Sequence, residues 1–195
     1  FEEVGREEQP VLDDEGKNLV IRRIAGKLED DLKVLKGNLK KQGYISEVKS
    51  VISEFVQYGV DFDKLDDFME GLSQESYLYY KLQDIRKVYE GFEEYLRDRY
   101  ITKEEMLDVL ARAVCDSELL KGSVIALDGF TGFTPVQIRL ISELLKVSEK
   151  VIVTVEIDRR EDPFIYRHPY QLFALSKQMV TSLVKTAQDL SLIHI

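Results

Sequence analysis

"VIALDGFTGFTPVQIRLISELL", residues 124–145, carries the pattern from which the fold class of this chain is inferred. Four apolar residues lead into Asp128, a turn with two glycines follows, and apolar residues then recur at helical spacing. Thr134 and Pro135 stand where a helix N-cap and a first-turn residue belong. The pattern predicts a short buried strand over residues 123–128, a turn, and an amphipathic helix.

A second apolar run, "KVIVTVEI" at residues 150–157, predicts another buried strand after this helix. Strand, helix and strand within about 35 residues form a parallel crossover unit. Ligands of such sheets bind at the carboxyl ends of the strands, where Asp128 is expected. Asp128 is therefore either the acid of a metal and nucleotide site or a residue of an ordinary strand-to-helix turn.

The residues before this unit follow a helical pattern. In "QESYLYYKLQDIRKVYEGFEEYLRDRY", residues 74–100, apolar residues recur every three or four positions and predict one buried seam along a long helix. Thr102 and Glu105 predict a capping box for the helix that follows. The seam residues are Leu78, Leu82, Ile85, Tyr89, Phe92 and Leu96. Predicted helices cover residues 12–28, 44–58, 61–71, 74–100 and 103–114, with a last helix from about residue 170.

We therefore predict a predominantly helical α/β chain in three parts. Residues 1–122 form a helical subdomain, which looks like an insertion within a nucleotide-binding type of sheet. Residues 123–189 form the strand–helix–strand part. Residues 190–195, "LSLIHI", match the translation of a transposon-type sequencing adapter and are expected to be non-native. Because residue 1 is Phe rather than Met, we expect a partial chain.

Composition limits the function classes. The chain has 195 residues and a formal net charge of -9, so its surface as a whole repels nucleic acid, and binding would need a local basic patch or a partner's groove. Arg22 and Arg23 either contact a phosphate in such a patch or lie on a solvated helix face. Cys115 is the single cysteine, which excludes an internal disulfide and fits a reducing cytoplasm. The apolar runs are too short for a membrane span, so no membrane partner is expected.

The residues around Asp128 lack the rest of a working nucleotide site. In P-loop nucleoside triphosphatases an apolar strand ends in the Asp that holds Mg²⁺, and a Glu that positions the attacking water commonly follows. Here Gly129 follows, and no Gly-rich phosphate loop ending in Lys-Ser/Thr occurs in the 195 residues. We predict no catalytic residue and no bound metal in this chain, with Thr131 in the turn as a candidate phosphate contact.

Three segments resemble one known family. "LDGFTGFTPVQIRLISELL", "YLYYKLQDIRKVYEGFEEYL" and "YITKEEMLDVLARAV" are similar to the B subunit (AddB/RexB type) of the bacterial AddAB/RexAB helicase-nuclease, and the likeness covers nearly all of residues 1–189. The resemblance implies a superfamily 1 helicase-like, P-loop type parallel sheet, inactivated here, with residues 1–122 as its helical insertion. Asp128 falls at the helicase Mg²⁺ acid and Gln137 at the motif's trailing Gln, while Gly129 departs from the catalytic Glu.

The resemblance also implies the activity, cofactors and partners of the whole protein. It implies an enzyme that processes double-strand DNA ends in recombinational repair, uses Mg²⁺ and ATP, and carries a 4Fe-4S cluster. None of the three is expected within this chain. The implied partners are the helicase-nuclease A subunit, which drives unwinding, and DNA. The alternative is an unrelated helical interaction module that pairs through the seam from Leu78 to Leu96.

Overall fold

The computed structural model describes residues 10–38 and 40–190, which form two compact units. The first unit ends at Met106 and the second begins at Leu107. Most of the structure is helical, and each unit contains one small parallel sheet, so the predicted mostly helical α/β class is confirmed. Of the predicted adapter segment 190–195, residues 191–195 lie outside the described part of the chain.

The first unit is built from helices whose starts are fixed by local side chains. Asp13, Asp61 and Ser76 each accept a hydrogen bond from a backbone N–H in the first turn that follows. Gly59 ends the second helix in the left-handed conformation, which glycine adopts readily. The elements are β1 (Val11–Leu12), α1 (Asp14–Lys27), α2 (Gln42–Tyr58), α3 (Phe62–Glu70), α4 (Tyr77–Leu96) and β2 (Ile101–Thr102). The short parallel pairing of β1 with β2 was not predicted.

The core of this unit lies among α1, α2 and α4. Ile21 and Val88 have no exposed surface, and Phe92 is almost fully buried. The predicted seam of α4 holds from Ile85 to Leu96 but is wrong at its start, where Leu78 is 45% exposed. The first two turns of α4 extend past the core, so seam spacing alone did not reveal where burial begins.

Helix α5 (Lys103–Ala113) spans the unit boundary and continues into a 3₁₀ turn at Val114–Asp116. Its predicted capping box is confirmed: the Thr102 N–H donates to Glu105 Oε2 at 2.7 Å, and the Glu105 N–H donates to Thr102 Oγ1 at 3.2 Å.

The second unit contains the predicted crossover. Its elements are β3 (Val124–Leu127), α6 (Pro135–Val147), β4 (Lys150–Val153) and α7 (Ala174–Asp189). Strands β3 and β4 are parallel, with Val124 opposite Lys150 and Leu127 opposite Val153. The prediction that both strands are buried is wrong, because Val124 is 60% and Ile152 is 42% exposed. Alternate residues face outward since helix packing covers only one face of this two-stranded sheet.

Two further sequence predictions concern membrane-spanning helices and the division of the chain into parts. Within residues 10–38 and 40–190, no helix is long and apolar enough to cross a membrane. The divisions 1–122 and 123–189, which rest on a helicase-like plan with an insertion, and 190–195, which rests on the adapter match, stay predictions.

Candidate functional site at the strand ends

The carboxyl ends of β3 and β4 place Asp128 and Thr154 side by side. Each residue directly follows its strand, and Leu127 and Val153 are register partners, so the two chains leave the sheet at the same edge. The Thr154 hydroxyl donates a hydrogen bond to Asp128 Oδ1. The Thr154 N–H donates to the Leu127 carbonyl at 3.0 Å, which continues the pairing past the strand. The rim of the sheet thus carries one exposed carboxylate with a hydroxyl fixed beside it.

Gly129 follows Asp128 with a φ of 78°, in the left-handed region that side chains other than glycine rarely adopt. A Glu at this position would be strained by roughly 1–2 kcal/mol. The turn therefore lacks the acid that would position water, and its backbone conformation also disfavours one. At Gly129 the chain turns away from the edge of the sheet.

The rest of the turn is built for packing and capping. The rings of Phe130 and Phe133 lie with centroids 5.0 Å apart, and Thr131 between them is exposed. The Thr134 N–H donates to Gln137 Oε1 at 2.8 Å, while the Gln137 N–H donates to Thr134 Oγ1 at 3.4 Å. Gln137 therefore holds the start of α6, and its place in a nucleotide motif stays a prediction.

The donor set at this rim suits a cation only weakly. Mg²⁺ takes six oxygen ligands at octahedral geometry and is usually held by one or two carboxylates together with phosphates and waters. Asp128 and Thr154 supply one carboxylate and one hydroxyl. Within the described ranges no three His, Cys, Asp or Glu residues are grouped so that they could hold a metal ion.

The two larger groups implied for the whole protein do not fit the residues of this chain. A 4Fe-4S cluster is held by four cysteine thiolates, and the sequence contains Cys115 alone. ATP phosphates are cradled by the backbone of a Gly-rich loop that ends in Lys-Ser/Thr, which is absent from the sequence. No catalytic step can be derived through either group here.

The predicted site residues are divided between the two units. Asp128, Gly129, Thr131 and Gln137 all lie on the strand-to-helix connection of the second unit. Arg22 and Arg23 lie in the first unit, exposed on α1.

Thr154 is the residue of this rim that sequence reasoning missed. The strand was predicted to run through residue 157, which placed Thr154 inside it, whereas β4 ends at Val153. The sequence alone did not show this end, because apolar residues continue at Val155 and Ile157. In the structure, the strand register pairs "VIAL" with "KVIV". That register places Thr154 directly opposite Asp128.

Comparison with known proteins identifies the family. A family model described as "ADDB, N-terminal" matches residues 1–194. A protein of Lachnoclostridium phytofermentans is 40% identical over 189 residues, which is 96% of this chain and 16% of the relative. One from Thermoanaerobacter sp. is 36% identical over 162 residues (83% and 14%), and one from Ruminiclostridium cellulolyticum is 32% identical over 156 residues (80% and 14%).

Each of these relatives is named as the B subunit of an ATP-dependent helicase/deoxyribonuclease. The chain spans about one sixth of the length of the relatives it matches, at 14–16%. The family model describes the amino-terminal part of these proteins. The chain therefore belongs to the AddB family, of which it represents the N-terminal part.

Proposed function

We propose that this chain is an inactivated, helicase-like scaffold within the B subunit of a two-subunit ATP-dependent helicase/deoxyribonuclease. The whole enzyme processes double-strand DNA ends in recombinational repair. The names of the relatives support the subunit and its class of activity, and the parallel β3–α6–β4 crossover supports a superfamily 1 helicase-like sheet.

The observation that carries the scaffold proposal is the turn at Asp128 and Gly129. The strand-end acid of a nucleotide-hydrolysing motor is retained, but its hydroxyl neighbour Thr154 occupies one carboxylate oxygen. The next residue lacks a side chain and has a φ of 78°. Gln137 is engaged at the helix cap. The motif thus keeps the parts that shape the turn and lacks the part that would activate water.

The scaffold proposal also assigns different roles to the two subunits of the whole enzyme. The partner A subunit drives unwinding with ATP and Mg²⁺, and the B subunit contributes architecture here and nuclease activity elsewhere along its length. The 4Fe-4S cluster belongs outside these residues, because the only cysteine here is Cys115. DNA is bound by the full-length protein.

The helical interaction module gains no observation in its favour. Its seam residues Ile85, Tyr89, Phe92 and Leu96 are buried within their own unit, so they are not available to another helix.

Nucleotide turnover by the purified chain tests the proposal. With Mg²⁺ and ATP, in the presence and absence of DNA, we expect no phosphate release and no DNA cleavage above the blank. Asp128→Ala should leave both readings unchanged, since Asp128 serves no reaction here. Measurable hydrolysis that disappears in Asp128→Ala would contradict the proposal.

A further inference from the structure

Helix α1 has an exposed basic face, defined here as Arg22, Arg23 and Lys27. From Gly16 to Leu28 the sequence contains four basic residues and no acidic one, within a chain of net charge -9. The fourth basic residue, Lys17, is 2% exposed and donates to both carboxylate oxygens of Glu104 at 2.9 Å. The helix thus turns one cation into the core and presents the other three to solvent.

The basic face differs from nearby lysines in its ion pairing. Neither Arg22 nor Lys27 forms an ion pair with any carboxylate in the described ranges. By contrast, the exposed Lys36 and Lys40 nearby are bound to Asp30 at 3.1 Å and to Glu29 at 2.7 Å. The positive charge of the basic face is therefore available to an external anion.

The basic face is also held in place and open to close approach. The guanidinium of Arg23 lies 5.8 Å from the centre of the Tyr95 ring, and that of Arg99 lies 5.4 Å from it. Gly26 lies between the basic residues in sequence, and nothing lies within 4 Å of where its side chain would start. A ligand can therefore reach the helix surface between Arg22 and Lys27.

Two surface grooves border the basic face, and each is lined by both cations and acids. One is lined by Arg22, Gly26 and Lys36, with Glu29 as its acid. The other is lined by Lys27, Lys87 and Arg99, with Glu90 and Glu94 as its acids. Arg86 lies 3.4 Å from Glu90 and partly neutralises it.

We propose that the α1 basic face binds the phosphodiester backbone of DNA. The inference rests on the proposed function, which makes DNA the polyanion that this subunit meets. Guanidinium groups match phosphate geometry with paired N–H donors. Arg23 and Lys27 are about one turn apart, roughly 6 Å along the helix axis at 1.5 Å per residue. Duplex DNA presents one charge per roughly 1.7 Å, so several phosphates fall within that reach.

The backbone is recognised through charge, without reading of bases. Tyr95 is engaged by two guanidinium groups, which argues against its use as a base-stacking platform. Binding should therefore be independent of sequence and strongly dependent on salt. The net negative charge of the chain limits the affinity, so low ionic strength is the appropriate range for measurement.

Fluorescence anisotropy with labelled DNA of arbitrary sequence tests the proposal on the full 195-residue chain. A duplex and a single strand of equal length are titrated at several NaCl concentrations. The test variant carries Arg22→Gln, Arg23→Gln and Lys27→Gln. The control variant carries Lys64→Gln, Lys81→Gln and Lys150→Gln, which are exposed and remove the same charge. Circular dichroism melts establish that both variants fold.

We expect the test variant to bind DNA about tenfold or more weakly than the original chain. The slope of log affinity against log NaCl concentration should fall in magnitude by roughly 2–3, as for three lost phosphate contacts. The control variant should bind within about threefold of the original chain, since dispersed charge acts only through long-range repulsion. Equal losses in both variants, or no binding by the original chain at low salt, would overturn the proposal. ATP turnover by the chain would refute the scaffold function without changing this result, so the two failures are distinguishable.

Discussion

The helical unit and the strand-containing unit bury their apolar residues to very different extents. In the first, Ile21 and Val88 have no exposed surface, and the core is shared by three helices. In the second, a two-stranded parallel sheet leaves Val124 60% exposed, although parallel sheets normally have both faces covered. The helical unit therefore has an enclosed apolar core, while the sheet is held by backbone pairing and by helix packing on one face.

The loop before α7, in the strand-containing unit, also exposes large apolar side chains. Tyr170 and Leu172 are more than 80% exposed, and Leu175 at the start of α7 is 65% exposed. An apolar surface of this kind typically packs against another part of a larger protein. The relatives are about six times as long as the segment matched here, since it makes up 16% of one of them.

The largest expected effect comes from Asp84, which has no exposed surface. Its carboxylate accepts hydrogen bonds from the amides of Lys33, Val34 and Leu35 at 3.0, 2.6 and 2.8 Å. Because Asp84→Ala leaves three amides without a hydrogen-bond acceptor, we expect the free energy of unfolding of the helical unit to fall by about 4 kcal/mol. Hydrogen exchange of α1 and α4 amides measures this loss.

Asp67, an exposed acid of α3, provides the matched control. Asp67→Ala should change the free energy of unfolding by less than about 0.5 kcal/mol. If Asp84→Ala lowers the free energy of unfolding no more than Asp67→Ala does, the buried carboxylate does not hold residues 33–35 in place.

The same substitution in each unit tests the difference in burial directly. Val88→Thr places a hydroxyl in the helical core and should lower the free energy of unfolding by about 1.5 kcal/mol. Val124→Thr places it on the exposed face of β3 and should cost less than about 0.5 kcal/mol. Hydrogen exchange in α4 and in β3 provides the two values. Equal costs at both positions would mean that the outer face of the sheet is covered.

A smaller effect is expected from the pH dependence of the helical unit. Burial, with a lesser contribution from the Glu105 carboxylate, raises the pKa of Glu93 to about 7, while Arg97 opposes the shift. Because the folded pKa lies above that of the unfolded chain, ionised Glu93 destabilises the fold. The penalty is absent below pH 4.5, grows as pH rises through the window from 4.5 to 7, and is complete above it.

Glu93→Gln should therefore stabilise the helical unit at pH 8 by about 1 kcal/mol, a value reduced for solvent screening of a half-buried group. The gain should vanish near pH 4.5. Urea unfolding at both pH values measures it, with the exposed neighbour Glu94→Gln as control. A gain of the same size at both pH values would show that charge at Glu93 is not its cause.

The helix starts could be predicted because their determinants are local. Thr102 with Glu105 and Thr134 with Pro135 signal a helix start within a few residues, and the structure shows the hydrogen bonds at both places. The parallel crossover could be predicted for a similar reason, since two apolar runs flank one amphipathic helix.

The features that the sequence did not predict depend on distant partners. Asp84 binds amides about 50 residues earlier in the chain, and backbone amides carry no residue-specific signal. Thr154 could be placed beside Asp128 only from the strand register. Exposure of Val124 and Leu78 depends on which neighbours cover them, which periodicity does not encode.

The inactivity of the strand end at Asp128 can be measured through DNA-dependent ATP hydrolysis by the proposed two-subunit enzyme. Asp128→Ala is introduced into the B subunit, and the equivalent acid of the A subunit's nucleotide motif is replaced in a separate sample as the positive control. A scaffold predicts a rate within about twofold of the original enzyme for Asp128→Ala and a loss of roughly a hundredfold or more for the control. A hundredfold loss caused by Asp128→Ala itself would contradict the account and make this strand end part of a working motor.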